Sequence, residues 1–124
     1  MDELVLIVDD NDKNLKLARD VLRFAGFRTL EAASGTAGLS LAAAHRPDVI
    51  LMDIRLPDID GVEALVRLKD GEATAAIPVV ALTSFAMKGD RERLLAAGFD
   101  GYLEKPISVR AFPEQVRTFC LVQP

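Results

Sequence analysis

Three aspartates stand where apolar segments of the sequence end. Asp9 and Asp10 follow the run LVLIV at residues 4–8, and Asp53 follows VILM at residues 49–52. A run this apolar is typical of a strand buried on both faces in a parallel sheet. Carboxylates that share one site at such strand ends repel each other, so the chain must supply or bind positive charge there.

A group of carboxylates suits a hard cation such as Mg²⁺, which prefers oxygen ligands and octahedral geometry and retains several waters. Beside such a cation, a carboxylate can attack phosphorus as a nucleophile and form an acyl phosphate. This chemistry also needs groups that hold the phosphoryl oxygens. Thr83 closes the run VVALT and offers a hydroxyl, while Lys105 follows GYLE and offers an ammonium.

Apolar runs and helical patterns alternate along the chain. We predict strands at 4–8, 27–32, 49–52, 79–82 and 100–103, and helices near 13–25, 35–45, 62–70, 88–97 and 109–121. Five strand–helix units indicate an α/β fold, with a parallel sheet covered by helices on both faces. In such a sheet the ligand site lies beyond the carboxyl ends of the strands. The carboxylates converge there if strands 1 and 3 are neighbours, which the sequence alone does not establish.

Several residues mark the ends of the predicted helices. Gly26 and Gly98 follow helical segments, the usual position of a left-handed cap residue, and Asp60 can N-cap the helix after it. Pro113 lacks the N–H of an interior helical residue. We therefore expect the last helix to begin late, after a turn at 108–112. Asp60, like Asp12 and Asp58, fits a turn or capping role better than a ligand role.

Composition excludes several classes of protein. The chain has 124 residues, 50% of them hydrophobic, which suits one domain. Its formal net charge of −4 disfavours nucleic-acid binding, which normally needs a basic face. The single cysteine, Cys120, forbids an internal disulfide. The acidic N-terminus is no signal peptide, and no run approaches the roughly 20 apolar residues of a membrane span, so we expect a cytoplasmic protein.

The order and spacing of four motifs resemble the receiver domain of two-component response regulators, the CheY-like family. The motifs are LIVDDN, LMDIRLPDIDG, VVALTSF and GYLEKPIS. The longer runs FAMKGD and KPISV are similar to those of single-domain regulators of the DivK type. The resemblance covers essentially the whole chain and implies one receiver domain over residues 1–124, with no output domain. It also implies a flavodoxin-like, doubly wound (βα)5 fold with a five-stranded parallel sheet in the order 2-1-3-4-5.

The resemblance implies a role for each residue of the carboxylate group. Asp53 matches the phosphoacceptor. Asp10 matches a direct magnesium ligand, and Asp9 matches one that acts through water. The backbone carbonyl of Arg55 matches the position that also binds the metal, so Mg²⁺ is the expected cofactor.

The later strand ends match the family in the same way. Thr83 matches the switch hydroxyl that contacts the phosphoryl group, and Lys105 matches the lysine that pairs with it. Tyr102 matches the aromatic switch that turns inward on activation. The peptide bond between Lys105 and Pro106 matches one that is often cis in the family.

The function that follows is that of a stand-alone response regulator. It would accept a phosphoryl group on Asp53 from a sensor histidine kinase or a histidine phosphotransfer protein, and then signal to a downstream protein target by direct contact. We expect a monomer or weak homodimer that catalyses only its own phosphotransfer and dephosphorylation.

Two other functions are compatible with parts of the pattern. A haloacid-dehalogenase-like phosphatase also forms an aspartyl phosphate, but the residue two after Asp53 is Arg55, so the general acid of such enzymes is missing. A flavin-binding module on the same fold would want a hydroxyl-rich phosphate loop after the first strand. The sequence DDNDKN at that place is acidic.

The first predicted helix has two apolar stripes at about 100° per residue. Stripe A contains Leu17, Val21 and Phe24, and stripe B contains Leu15, Ala18, Leu22 and Ala25. Together they are wider than a surface helix requires. Either the helix is deeply packed, or part of stripe B is an exposed docking surface, as the resemblance favours.

Two side chains could control the lifetime of an acyl phosphate. By the resemblance, residues two after the acceptor and two after the switch threonine flank the phosphoryl group, here Arg55 and Phe85. We expect both to hinder in-line attack by water. The alternative is that Phe85 points into packing and Arg55 into solvent, which would leave the water access open.

Overall fold

A computed structural model describes residues 3–84 and 89–120 of the chain. The strands are β1 (Leu4–Val8), β2 (Arg28–Ala32), β3 (Val49–Asp53), β4 (Val79–Thr83) and β5 (Gly101–Glu104). The helices are α1 (Asp12–Phe24), α2 (Gly35–His45), α3 (Gly61–Asp70), α4 (Asp90–Ala97) and α5 (Phe112–Cys120). Within this described part of the chain, none of the helices combines the length and apolar character needed to cross a bilayer.

The five strands form one parallel sheet in the order β2-β1-β3-β4-β5. This confirms the flavodoxin-like α/β arrangement and its strand order. β1 lies between β2 and β3, and Val8 at its end is opposite Met52. The chain therefore reverses its direction of winding between β1 and β3, and the residues that follow Val8 and Met52 meet at that point.

The strands bury both of their faces because successive side chains of a strand point to opposite sides of the sheet. Val5 and Ile7 of β1 belong to the apolar layer that contains Leu22 of α1 and Phe112 of α5. Leu6 and Val8 of β1 belong to the opposite layer, with residues of α2, α3 and α4. Burial on both sides explains why the strands appear in the sequence as continuous apolar runs.

The ends of the strands lie close to their predicted positions. β3 and β4 each extend one residue beyond the predicted run, so Asp53 and Thr83 are the last residues of their strands. Gly26 and Gly98 have φ angles of 101° and 115°, which confirms their left-handed conformation after α1 and α4.

The helix ends also follow the local chemistry of the sequence. The side chain of Asp60 accepts the backbone N–H of Glu63 at 2.8 Å, as expected of an N-cap. Pro113 is the second residue of α5, where its missing N–H leaves no helical hydrogen bond unmade, and a turn precedes it. Lys88 and Leu121, at the ends of two predicted helices, lie outside the described residues.

Of the two alternatives for α1, the structure favours packing of stripe B over an exposed docking surface on it. Ala18 and Leu22 of this stripe are buried, and its other two residues pack against the same apolar layer. Stripe A is the more exposed one: Leu17 is 40% exposed and Phe24 is 96% exposed. Val21 of stripe A also packs against this layer, so the helix is packed over stripe B and part of stripe A but not over its whole apolar surface.

Candidate functional site

Asp9, Asp10 and Asp53 meet at the carboxyl ends of β1 and β3. One carboxylate oxygen from each residue lies within 4.8 Å of those of the other two. Asp9 and Asp53 are buried, whereas Asp10 is exposed. The meeting follows from the pairing of β1 with β3, the adjacency that the sequence alone did not establish.

Lys105 brings a positive charge to this group from the end of β5. Its Nζ lies 2.7 Å from Asp9 Oδ2 and 2.9 Å from Asp53 Oδ2, and its side chain is 11% exposed. Its backbone N–H donates to the carbonyl of Thr83 at 2.8 Å, which holds this segment beside the end of β4. The Lys105–Pro106 peptide bond is cis, as the resemblance implied.

Each oxygen of the Asp53 carboxylate accepts a hydrogen bond. Oδ1 accepts the backbone N–H of Arg55 at 3.0 Å, and Oδ2 accepts the ammonium of Lys105. Burial raises the pKa of Asp53 above its ordinary value, and the donors from Arg55 and Lys105 offset this only in part. The ionised form of Asp53 is therefore destabilised by its surroundings, and further positive charge at the site would stabilise it.

The ammonium of Lys105 is a permanent charge at neutral pH. Burial alone would lower its pKa, but the hydrogen bonds to Asp9 and Asp53 outweigh burial and raise the pKa above its ordinary value. Lys105 therefore acts as a fixed cation beside two buried carboxylates, and it does not act as a proton donor that titrates near neutrality.

A cleft of about 340 Å³ opens over the three aspartates. The ends of β1, β3 and β4 form its floor, and the first turns of α1 and α4 contribute to its walls. The described residues that line it are Asp9, Asp10, Asn11, Asn14, Asp53, Ile54, Arg55, Thr83, Ser84, Asp90, Arg93, Leu94 and Lys105. Its size and polar lining suit a small anionic group held together with a cation.

The structure thus places most of the predicted site residues around one cleft. Thr83 is buried at the end of β4 and lines the cleft, as does the exposed Arg55. The N-cap of α1 is Asn11, so neither Asp9 nor Asp10 has this role. The two aspartates are therefore available to the cleft, although one oxygen of Asp9 accepts the N–H of Asn11 at 2.9 Å.

Tyr102 is not among the described residues that line the cleft. Its hydroxyl donates to Glu104 Oε1 at 2.8 Å, and this hydrogen bond raises the pKa of Tyr102. The inward turn expected of Tyr102 stays a prediction. Phe85 lies outside the described residues, so the shielding of an acyl phosphate by Phe85 and Arg55 also stays a prediction.

Sequence reasoning missed the contribution of α4. The charged residues at 91–93 are exposed on α4, as is usual for a charged run in a helix. Arg93 nevertheless lines the cleft, where its Nη2 lies 2.8 Å from Asp90 Oδ1. Nothing in the spacing of the sequence indicated this, because it depends on the direction of α4 across the sheet. Asn14 was missed for the same reason, as one polar residue among several in α1.

The donor atoms present fit Mg²⁺. They are carboxylate oxygens, which this ion prefers, and one of the three carboxylates is exposed to solvent, as suits an ion that retains several of its waters. No histidine or cysteine is part of the group, so a soft or nitrogen-preferring metal is a poorer match.

Comparison with known proteins identifies the family. The response regulator receiver domain matches residues 5–117. The chain belongs to this family. It is also similar to the polar-differentiation response regulator DivK of Brucella ovis, with 47% identity over 119 residues that cover 96% of this chain and 97% of DivK. The protein is therefore a response regulator of a two-component system, and the resemblance to DivK-type regulators is confirmed.

Solved structures of receiver domains share its fold. The chemotaxis response regulator CheY4 of Vibrio cholerae is 25% identical with a TM-score of 0.89, and the match covers 96% of this chain and 99% of CheY4. The receiver domain of sensor histidine kinase PA1611 from Pseudomonas aeruginosa is 34% identical with a TM-score of 0.87, over 97% and 98% of the two chains. That receiver has a magnesium ion coordinated in its active site cleft.

Proposed function

We propose that this receiver domain accepts a phosphoryl group on Asp53 from a histidine kinase or a histidine phosphotransfer protein. The observation that carries the proposal is the position of Asp53 at the end of β3. Its carboxylate accepts the ammonium of Lys105 at 2.9 Å and lies within 4.8 Å of oxygens of Asp9 and Asp10. A nucleophilic carboxylate needs such surroundings, with a fixed cation beside it and oxygen ligands for a second.

In the proposed transfer, the bond between phosphorus and the imidazole nitrogen of the donor breaks, and a bond forms between phosphorus and a carboxylate oxygen of Asp53. The electron pair of the broken bond leaves with the imidazole. Lys105 balances the negative charge that the phosphoryl oxygens bring to the cleft. Thr83, at the end of β4, donates a hydrogen bond from its hydroxyl to a phosphoryl oxygen. Its position next to β5 would allow this contact to alter the neighbouring strand.

The residues that would hold Mg²⁺ are Asp10 and Asp53, the backbone carbonyl of Arg55, and Asp9 through water. When bound, the ion neutralises phosphoryl oxygens and orients them for in-line transfer. The side chains act in the same way with or without the ion. Asp53 presents the attacking carboxylate oxygen, and Lys105 positions the Asp53 carboxylate by a hydrogen bond to Oδ2.

The phosphorylated domain would signal by contact with other proteins. We propose that Thr83 and Tyr102 act as switch residues that change the surface formed by α4, β5 and α5. A downstream protein would read that surface in a cytoplasmic phosphorelay. We further propose that the chain acts as one receiver domain, as a monomer or weak homodimer, and that its only catalysis is its own phosphotransfer and dephosphorylation. The match to nearly the whole length of DivK supports the single-domain proposal.

The assignment of Asp53 can be tested with a small phosphoryl donor. Wild type, Asp53→Asn and the control Asp12→Asn are incubated with acetyl phosphate and MgCl2, and their intact masses are measured. Asp12 is an exposed acid in the first turn of α1, close in sequence to the site. We expect a phosphoryl adduct on wild type and Asp12→Asn only. A stable adduct on Asp53→Asn would refute the assignment.

The donor class can be tested separately. Purified histidine kinases and phosphotransfer proteins of the source organism are loaded with labelled phosphate and mixed briefly with the chain. Rapid transfer from one of them to wild type, with none to Asp53→Asn, is expected. If acetyl phosphate modifies Asp53 but no phosphohistidine protein does, the proposed donor class is wrong.

A further inference from the structure

The loop between β3 and α3, residues 54–60, is tied to the beginning of another helix. Asp58 Oδ1 accepts the backbone N–H of Gly35 at 2.9 Å, and Asp58 Oδ2 accepts that of Thr36 at 2.8 Å. The hydroxyl of Thr36 also donates to Asp58 Oδ2. Asp58 therefore binds the N-terminal end of α2, whose first backbone N–H groups have no partners within the helix.

Close packing accompanies these hydrogen bonds. A Cβ atom on Gly35 would lie 2.4 Å from Ile59 Cγ1 and 3.3 Å from Asp58 Oδ1. Because real Cβ atoms essentially never approach another atom as closely as 2.4 Å, a larger residue at position 35 would force the side chain of Ile59 in the loop to shift. We call this contact the loop–α2 clamp. It consists of Asp58 and Ile59 from the loop and Gly35 and Thr36 from α2.

The other end of the loop is fixed at the metal site. The backbone N–H of Ile54 donates to the carbonyl of Leu82 at 3.2 Å, and the carbonyl of Ile54 accepts the N–H of Gly61 at 2.9 Å. Arg55 follows directly, and its N–H donates to Asp53 Oδ1 at 3.0 Å. Arg55 therefore lies between an anchor at Ile54 and the loop–α2 clamp.

We propose that Asp58 is a positioning residue for the metal site. By holding the loop against α2, it fixes the backbone of Arg55, whose carbonyl is a proposed ligand. The inference rests on the proposed function, because it concerns the affinity of that site for Mg²⁺. A ligand held in place before binding loses less conformational freedom when the ion arrives, so the clamp increases affinity without touching the ion.

The clamp is built to persist across physiological pH. The hydroxyl and N–H of Thr36, with the N–H of Gly35, lower the pKa of Asp58 well below its ordinary value. Asp58 is therefore ionised at neutral pH, and a negative charge at the N-terminal end of α2 is also favourable to the helix dipole. Asp58 is exposed, so its contribution depends on this set of donors and not on burial.

Ser34 offers a matched control. It is the N-cap of α2, and its side chain accepts the N–H of Ala37 at 3.1 Å. Ser34→Ala and Asp58→Ala both remove a capping interaction from the same end of the same helix, but only Asp58→Ala releases the loop. Mg²⁺ affinity is measured by titrating isotope-labelled protein with MgCl2 and following backbone amide signals by NMR, well below the unfolding temperature of each variant.

We expect Asp58→Ala to weaken Mg²⁺ binding about tenfold, the size of effect seen when the partner of a metal ligand is removed. Ser34→Ala should bind Mg²⁺ like wild type although it loses stability. Gly35→Ala, which crowds the side chain of Ile59 in the same loop, should also weaken binding.

Equal Mg²⁺ affinities of Asp58→Ala and wild type would overturn the inference. So would equal weakening by Ser34→Ala, because loss of a helix cap would then be the cause. These outcomes differ from a failure of the proposed function, in which wild type itself shows no Mg²⁺ binding at the cleft and no phosphorylation.

Discussion

Lys105 Nζ lies 2.9 Å from Asp53 Oδ2, although 52 positions separate the two residues in the chain. The same ammonium lies 2.7 Å from Asp9 Oδ2, so one lysine compensates two buried carboxylates. The electrostatics of the cleft depend on this arrangement. The carboxylate that would accept the phosphoryl group is held by a permanent cation, and the exposed Asp10 would complete the set of oxygen ligands for a second cation.

Replacing Lys105 by methionine should destabilise the metal-free protein by about 3 kcal/mol at neutral pH. Asp9 and Asp53 would remain buried without their common cation. The free-energy penalty of an uncompensated buried charge is larger than the net stabilisation that the ion pairs provide. Urea unfolding in EDTA measures the loss, and Lys16→Met, which changes an exposed lysine of α1, serves as the control. A loss no larger than that of the control would show that Lys105 does not compensate these carboxylates.

The raised pKa of Asp53 predicts how stability depends on pH. An acid whose pKa is higher in the folded state binds its proton more tightly there, so its contribution to stability is complete below the ordinary pKa of 3.8. That contribution is lost as the pH rises through the higher folded-state pKa. Asp53→Asn, which stays neutral, should therefore be more stable than wild type at neutral pH in EDTA.

The difference between Asp53→Asn and wild type should shrink as the pH falls through this window, because wild-type Asp53 then becomes neutral as well. Thermal unfolding of both proteins across a series of acidic to neutral buffers gives the comparison. Magnesium should reverse the order at neutral pH, since the ion favours ionised Asp53. A variant less stable than wild type in EDTA at neutral pH would contradict the assigned cause of the pKa shift.

The two stripes of α1 predict opposite results for two apolar residues that are close in sequence. Leu22 of stripe B is fully buried, so Leu22→Ala should cost about 3 kcal/mol of stability through lost contacts and a residual cavity. Phe24 of stripe A is 96% exposed, so Phe24→Ala should change stability by no more than about 0.5 kcal/mol. Urea unfolding measures both. A large loss for Phe24→Ala would mean that stripe A is packed in solution.

The candidate site was predictable from the sequence because its residues follow buried strands. In a parallel sheet the strand ends lie at one edge, so Asp53, Thr83 and Lys105 needed only the strand order to be brought together. Local chemistry also predicted the late start of α5, since Pro113 can occupy only the first turn of a helix.

Other features depend on the direction in which one element crosses another. Stripes A and B have similar apolar character, and the sheet decided which of them is buried. Arg93 enters the cleft because of the direction of α4, and its sequence neighbours gave no sign of this. Asp58 was expected to have a turn or capping role, but the sequence did not indicate that the helix it caps begins at Gly35 and Thr36, more than 20 positions earlier in the chain. Such contacts between distant segments have no periodic signature in the sequence.

Asp10 gives the sharpest test of the metal site, because it is the exposed member of the carboxylate group and Lys105 pairs with the other two. In EDTA, Asp10→Asn should be slightly more stable than wild type, since one of three neighbouring negative charges is removed. With MgCl2 at ten times the wild-type dissociation constant, wild type should gain about 1.4 kcal/mol from binding, and Asp10→Asn should gain much less. Asp12→Asn, which changes an exposed acid just outside the group, should behave like wild type in the response to MgCl2. Thermal unfolding of the three proteins in EDTA and in MgCl2 gives all of these values.

Two results would count against the site: an Asp10→Asn protein that is less stable than wild type in EDTA, or one that gains as much from magnesium as wild type does. The first would mean that Asp10 has a stabilising partner in the metal-free protein, and the second that the ion binds elsewhere.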